Sequence, residues 1–78
     1  MRRILITGGA GFIGSNLLLK LQPDNIVTIV DNFQTSSVSR IEKIMSSKLT
    51  RIFSGDICDQ SVIETLRSNG PFDYIMHL

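Results

Sequence analysis

A run of small residues near the start of the chain has the clearest chemical potential. It reads Thr7-Gly8-Gly9-Ala10-Gly11-Phe12-Ile13-Gly14. Two registers are possible, G-x-G-x-x-G from Gly9 and G-x-x-G-x-x-G from Gly8, and both include Gly11 and Gly14. In either register, an early glycine permits a tight turn and Gly11 lets the main chain approach a pyrophosphate. Gly14 lets the following helix pack closely on the preceding strand.

Backbone amides would attract the anion. The N–H groups near Phe12 and Ile13 are expected to face it, assisted by the positive end of the helix dipole. The run lacks the Lys-Ser/Thr pair that contacts a γ-phosphate and magnesium, which disfavours a nucleoside triphosphatase. A tight strand-to-helix turn that binds no nucleotide is the alternative interpretation.

Asp31 follows Gly11 by 20 positions and ends the second apolar run. A carboxylate at this place accepts hydrogen bonds from two ribose hydroxyls and repels a 2′-phosphate, so it predicts NAD rather than NADP. The next basic residue, Arg40, is nine positions on, so no clamp for such a phosphate is evident. For Asp31 alone, a solvated loop acid is the alternative.

These residues must be positioned by strands that alternate with helices. Apolar, β-branched runs predict strands over residues 3–7, 26–30, 49–53 and 72–78. Helical spacing predicts helices over residues 12–21, from a Ser39 to Glu42 capping box through Met45, and after an Asp59 cap as far as Asn69-Gly70-Pro71.

This alternation implies an α/β fold with right-handed crossovers and helices on both faces of a parallel sheet. We therefore expect a partial Rossmann-type, doubly wound sheet of about four strands and three helices, in one domain. The fourth strand would lack a neighbour on one side. Such an edge needs a cover: further chain, a second copy of this chain in a homo-oligomer, or another protein.

The composition excludes several classes of protein. With 78 residues, 42% hydrophobic and 19% charged, the chain is an ordinary globular domain rather than a disordered segment. A net charge of +1, with scattered basic residues, gives no reason to expect a nucleic acid partner. No apolar run approaches the roughly 20 residues of a membrane helix. One cysteine, Cys58, and one histidine form neither a disulfide nor a zinc site, and a cytoplasmic location fits best.

In these features the chain resembles the extended short-chain dehydrogenase/reductase family, in particular its nucleotide-sugar epimerases and dehydratases. The resemblance covers all 78 residues. It is carried by four runs: Ile4-Leu5-Ile6-Thr7-Gly8-Gly9-Ala10-Gly11-Phe12-Ile13-Gly14-Ser15, Asp31-Asn32-Phe33, Gly55-Asp56-Ile57 and Asp73-Tyr74-Ile75-Met76-His77-Leu78.

The resemblance implies NAD as the cofactor, with four groups of contacts. Around the pyrophosphate it implies Gly8, Gly11, Phe12, Ile13 and Gly14. At the adenosine ribose it implies Asp31, Asn32, Thr35 and Ser36. Asp56 and Ile57 would bracket the adenine, and Leu78 would begin the loop beside the nicotinamide. For Asp56, a turn-forming acid held by backbone N–H groups is the alternative.

The resemblance also implies catalytic groups that this chain does not contain. Members of the family carry a catalytic Ser/Thr, a Tyr-x-x-x-Lys pair and a carboxyl-terminal region that binds the nucleotide sugar. The only tyrosine, Tyr74, has Leu78 where that lysine would stand. We interpret Tyr74 as a packing residue, His77 as core or loop support, and Cys58 as a buried, inert cysteine, although a helix start nearby could lower a thiol pKa.

The chain is therefore expected to be the amino-terminal, NAD-binding portion of an epimerase or dehydratase that acts by transient hydride transfer. The nucleotide sugar would be a partner only of a full-length relative. A stand-alone dinucleotide-binding or regulatory module without catalysis is the alternative.

Overall fold

The computed structural model describes residues 1–8, 11–33 and 38–78. Over these residues the chain forms β1 (Arg2–Thr7), α1 (Phe12–Leu21), β2 (Asn25–Asp31), α2 (Val38–Ile44), β3 (Arg51–Ser54), α3 (Gln60–Asn69) and β4 (Tyr74–His77). All strand pairs are parallel and the order is β3-β2-β1-β4. The predicted α/β class and partial Rossmann-type sheet are confirmed.

The order of the strands reverses at β1. The chain moves outward from β1 through β2 to β3, then crosses back to place β4 on the other side of β1. In register, Ile6 of β1 pairs with Ile29 of β2, and Thr7 pairs with His77 of β4. Parallel sheets bind ligands beyond the carboxyl ends of their strands, at the point where the order reverses.

The core lies between one face of the sheet and the first two helices. Side chains alternate between faces along a strand, so every second apolar residue of β1 and β2 points to the same side. The buried cluster consists of Ile4, Ile6, Leu18, Val27, Ile29 and Ile41. All four of its strand residues are β-branched, and such residues favour the extended backbone of a strand.

The opposite face is covered more thinly, by α3. Val62, Ile63 and Leu66 point inward as predicted, but none of the residues of α3 is fully buried. The predicted cap is confirmed, since the Asp59 carboxylate accepts a hydrogen bond from the Ser61 N–H at 3.0 Å. Helices thus lie on both faces, with most of the packing on the side of α1 and α2.

Two local predictions need correction. Ser39 does not cap α2, because that helix begins at Val38 and Ser39 is already inside it. The predicted third strand began at Leu49, whereas that residue lies in an exposed turn and β3 begins at Arg51. Helix and strand ends depend on hydrogen bonds that a pattern of apolar residues locates only to within a few positions.

Gln22 makes a contact that the sequence did not reveal. Predicted only as part of an exit turn, it is buried and joins the ends of two helices. Its amide nitrogen donates to the Ile44 carbonyl at 2.7 Å, and its amide oxygen accepts from the Ser46 N–H at 3.0 Å. The side chain satisfies a carbonyl left free at the end of α2.

β4 is an edge strand with an exposed outer side. Tyr74 is 54% exposed and Ile75 is 66% exposed. The interpretation of Tyr74 as a packing residue is therefore wrong, because more than half of this residue is exposed. Ile75 and Phe72 border an apolar groove of about 480 Å³ below α3. Within the described ranges, no helix is long and apolar enough to cross a membrane.

Candidate functional site

A crevice of about 170 Å³ opens at the carboxyl ends of the four strands. It is lined by Thr7, Gly8, Val30, Asp31, Asn32, Gly55, Ile57, His77 and Leu78. A pocket for a whole drug-sized ligand measures about 300 Å³ or more, so this crevice has room for only one moiety of such a ligand. Its place beside β1 is the one at which doubly wound sheets bind nucleotides.

Gly8 brings three strand ends close together. Its φ of +72° lies in the left-handed region, and its N–H donates to the Val30 carbonyl at 2.8 Å. A Cβ here would lie 3.1 Å from the carbonyl oxygen of Leu78, whose own N–H donates to the Thr7 carbonyl at 3.0 Å. The left-handed backbone at Gly8 favours a glycine, and a side chain at this position would disturb the crevice.

The amino terminus of α1 carries no side-chain cap. Gly11 is the N-cap residue, with extended backbone angles, and the first turn contains no acidic residue. The first helical hydrogen bond joins the Ser15 N–H to the Gly11 carbonyl at 2.9 Å. The N–H groups of Phe12, Ile13 and Gly14 therefore precede the first helical hydrogen bond, and an anion can accept from such groups.

The first two side chains of α1 are apolar and lie outside the core. Phe12 is 77% exposed and Ile13 is 64% exposed, whereas Gly14 is buried. Neither apolar side chain contributes to the buried cluster of the core. The chemistry available at this end of α1 is therefore that of main-chain donors.

Asp31 is placed at the crevice by contacts of both its side chain and its main chain. Its carboxylate Oδ1 accepts from the Phe33 N–H at 2.8 Å, and its carbonyl accepts from the Gly55 N–H at 3.0 Å. Asn32 lines the crevice beside it. The predicted ribose contacts Thr35 and Ser36 lie outside the described residues.

Of the predicted adenine pair, Ile57 lines the crevice and Asp56 does not. Asp56 is exposed and organises its own turn. Its Oδ1 accepts from the Cys58 N–H at 2.8 Å, and its carbonyl accepts from the Asp59 N–H at 2.9 Å. The turn-forming alternative thus describes the contacts of Asp56 in this structure.

Cys58 is exposed, so its interpretation as a buried cysteine is wrong. It lies on the surface, in the short turn between β3 and α3. A hydrogen bond with Asp56 raises the pKa of the thiol, and the negative charge of that residue and slight desolvation raise it further. The thiol is accessible, and its contact with Asp56 disfavours the thiolate form.

His77 is a lining residue that sequence reasoning assigned only to support. Its Nδ1 lies 2.6 Å from the Thr7 hydroxyl, across the pair of β1 and β4. The sequence could have indicated this role, because His77 lies at the carboxyl end of a predicted parallel strand, where such sheets bind ligands. No group of three His, Cys, Asp or Glu side chains suited to a metal ion occurs among the described residues.

These groups fit parts of a dinucleotide. The missing Cβ of Gly8 leaves the strand ends in close contact, and the uncapped start of α1 supplies donors for a diphosphate. Asp31 supplies an acceptor for sugar hydroxyls, and Ile57 supplies an apolar contact for a ring. Main-chain amides, rather than a lysine, are therefore the donors that these residues offer to an anion.

Comparisons with known proteins agree with this fold. A family model described as GDP-mannose 4,6 dehydratase matches residues 5–78. A bifunctional UDP-glucose 4-epimerase and UDP-xylose 4-epimerase from Pisum sativum is 35% identical over 97% of this chain and 24% of its own length. A dTDP-D-glucose 4,6-dehydratase from Mus musculus is 30% identical over 97% of this chain and 22% of its own length.

A solved structure extends the likeness to the backbone. The UDP-glucose 4-epimerase from Bifidobacterium longum, in complex with NAD+ and UDP, superimposes with a TM-score of 0.82 and 30% identity. The match covers 97% of this chain and 24% of that protein. The chain thus spans about a quarter of the length of these relatives. On sequence and fold alike, it belongs to the family of NAD-dependent nucleotide-sugar epimerases and dehydratases.

Proposed function

We propose that this chain is the amino-terminal, NAD-binding portion of a nucleotide-sugar epimerase or dehydratase, with the catalytic and substrate-binding parts elsewhere. One observation carries the proposal. At the switch point of the sheet, Gly8 and Asp31 line one crevice, and the uncapped start of α1 follows β1 in the chain. Doubly wound folds hold dinucleotides with this combination of groups.

In this proposal each part of the site has a separate role. Gly8, Gly11, Phe12, Ile13 and Gly14 surround the pyrophosphate, and the main-chain N–H groups near Phe12 and Ile13 donate to it. Asp31, Asn32, Thr35 and Ser36 hold the adenosine ribose, Asp56 and Ile57 flank the adenine, and Leu78 lies on the nicotinamide side. NAD, when bound, supplies a hydride acceptor for transient oxidation of a sugar. The residues of this chain bind and orient; the Tyr-x-x-x-Lys pair that would move protons is absent from it.

Calorimetric titration of the 78-residue chain with NAD and with NADP tests the proposal. We expect NAD to bind and NADP to bind more weakly. Asp31→Asn should weaken NAD binding. It should also narrow the difference between the affinities for NAD and NADP, because it removes the charge that repels a 2′-phosphate. Asp24→Asn makes the same chemical change at the other end of β2, in an exposed turn, and should leave both affinities unchanged.

Two results would count against the proposal. Tighter binding of NADP than of NAD by the wild-type chain contradicts the role of Asp31. Epimerase or dehydratase activity of the isolated chain on a UDP- or TDP-sugar contradicts the division between cofactor binding and catalysis. A single cysteine suits a reducing compartment, so we place the protein in the cytoplasm.

The exposed edge of β4 favours a second candidate, a stand-alone NAD-binding module that pairs with a copy of itself. Ile75 lies on this edge and borders the groove under α3. In this case light scattering should give the mass of a dimer, and Ile75→Lys should return it to that of a monomer. Leu49→Lys, near the start of β3 at the other edge of the sheet, is the matched control. A monomeric wild-type chain rules this candidate out.

A further inference from the structure

The turn after β2 contains an unusual backbone conformation. Phe33 has a φ of +58°, and among the described residues it is the one non-glycine residue with a positive φ. The left-handed region is uncommon for a bulky aromatic residue, and local strain of this kind concentrates at binding sites. Asn, Asp or Gly usually occupies such a position.

Two contacts hold Phe33 in this conformation. Its half-buried ring packs against the buried cluster beneath α1 and α2, which anchors the side chain. Its N–H points back and donates to Oδ1 of Asp31 at 2.8 Å. The left-handed turn thus couples an anchored ring on the core side to a carboxylate on the crevice side.

We infer that Phe33 is a positioning residue for Asp31: it orients the carboxylate so that the crevice selects a ribose with a free 2′-hydroxyl over one with a 2′-phosphate. The inference deepens the proposed function and rests on it. Main-chain contacts already hold Asp31 before a ligand arrives, through the Phe33 N–H at its carboxylate and the Gly55 N–H at its carbonyl. Orientation before binding lowers the entropic cost of association.

A merely structural role for Phe33 predicts a different pattern. Loss of ring packing would destabilise the fold and weaken the binding of NAD and NADP to a similar degree. A positioning role affects NAD more than NADP, because only the ribose with a free 2′-hydroxyl gains from a correctly aimed carboxylate. The ratio of the two dissociation constants therefore separates the two roles.

A matched pair of variants isolates the backbone from the ring. Phe33→Gly and Phe33→Ala both delete the ring and keep the N–H, but glycine adopts a positive φ freely and alanine does not. We expect Phe33→Ala to lose at least about fivefold of the preference for NAD, and Phe33→Gly to retain most of it. Leu21→Ala removes another apolar side chain packed on the same cluster and should leave the ratio unchanged.

A third variant and a double variant complete the test. Phe33→Pro removes the N–H and imposes a negative φ, so it should abolish the preference. In an Asp31→Asn background, none of the changes at Phe33 should alter the ratio by more than about twofold, since the group they position has changed. If Phe33→Pro does not fold, the alanine and glycine pair decides.

The outcomes distinguish this inference from the proposed function. If the wild-type chain binds neither NAD nor NADP, both the positioning role of Phe33 and the proposed function are overturned. Wild-type chain that prefers NAD, with equal ratios for Phe33→Ala, Phe33→Gly and wild type, overturns the positioning role alone. A change in ratio that persists undiminished in the Asp31→Asn background also overturns it. Selective loss in Phe33→Ala, dependent on Asp31, supports it.

Discussion

The hydroxyl of Thr7 and Nδ1 of His77 lie 2.6 Å apart, although 70 positions separate the two residues in the chain. The pair joins the carboxyl ends of β1 and β4, where the sheet reverses its order. Next to it, the Leu78 N–H donates to the Thr7 carbonyl at 3.0 Å. A side-chain bond and a main-chain bond together hold β4 against the carboxyl end of β1.

Thr7→Val should therefore destabilise the chain by about 1 kcal/mol, because it replaces the hydroxyl with a methyl group of similar size and leaves His77 unpaired. Urea unfolding monitored by circular dichroism measures the change. In a double-variant cycle, Thr7→Val should cost much less once His77 is alanine. Equal costs in both backgrounds would show that the 2.6 Å contact contributes little.

Gly8→Ala and Gly11→Ala should have different effects. At Gly8 a Cβ meets the Leu78 carbonyl oxygen at 3.1 Å in a left-handed backbone, so we expect a loss of about 1–2 kcal/mol in the free energy of unfolding. At Gly11 the nearest atom would be 4.0 Å away, so the loss should be smaller.

NAD titration of the same two variants separates stability from binding. If the main chain at Gly11 approaches the pyrophosphate, Gly11→Ala should weaken NAD binding by far more than its change in stability explains. Unchanged affinity in a folded Gly11→Ala chain would contradict that role.

Gly55→Ala should destabilise the joint between β3 and α3. A Cβ at Gly55 would lie 2.5 Å from Cγ2 of Val62, and the φ of +155° also disfavours a side chain. Overpacking of this kind costs about 1–3 kcal/mol. Removing the obstructing methyl groups with Val62→Ala should restore part of the loss, and the backbone strain should remain. Thermal melting of the two single variants and the double variant measures this, and a double variant less stable than Gly55→Ala would contradict it.

Asp56→Asn should make Cys58 more reactive. The pKa of this thiol is raised, chiefly by its hydrogen bond with Asp56 and then by the charge of that carboxylate, so less thiolate is present at a given pH. Replacing the carboxylate with an amide should shift the pH profile of alkylation by iodoacetamide to lower pH. Glu64→Gln, an exposed acid on α3, is the control. An unchanged profile for Asp56→Asn would show that the carboxylate does not hold the thiol neutral.

Local patterns predicted the elements and their order well. Runs such as Ile26 to Val30 specify strands because β-branched residues favour an extended backbone, and the Asp59 cap specifies a helix start through a contact two residues away. Because these preferences predict where the strands end, they also place the glycine run, residues 8–14, and Asp31 at strand ends. Predictions failed where solvent exposure decided the outcome, at Cys58 and Tyr74, because exposure depends on which elements pack beyond a residue.

The amino-acid sequence by itself determined the alternation of strands and helices, the parallel sheet and the residue types available at its carboxyl edge, since each follows from spacing and from backbone preferences of nearby residues. Only the tertiary structure decided that His77 meets Thr7, that Gln22 joins two helices, and that Phe33 turns its N–H toward Asp31. These contacts depend on how the strand ends and helix ends are brought together in space. The spacing of apolar residues along the chain does not specify the direction of a single hydrogen bond.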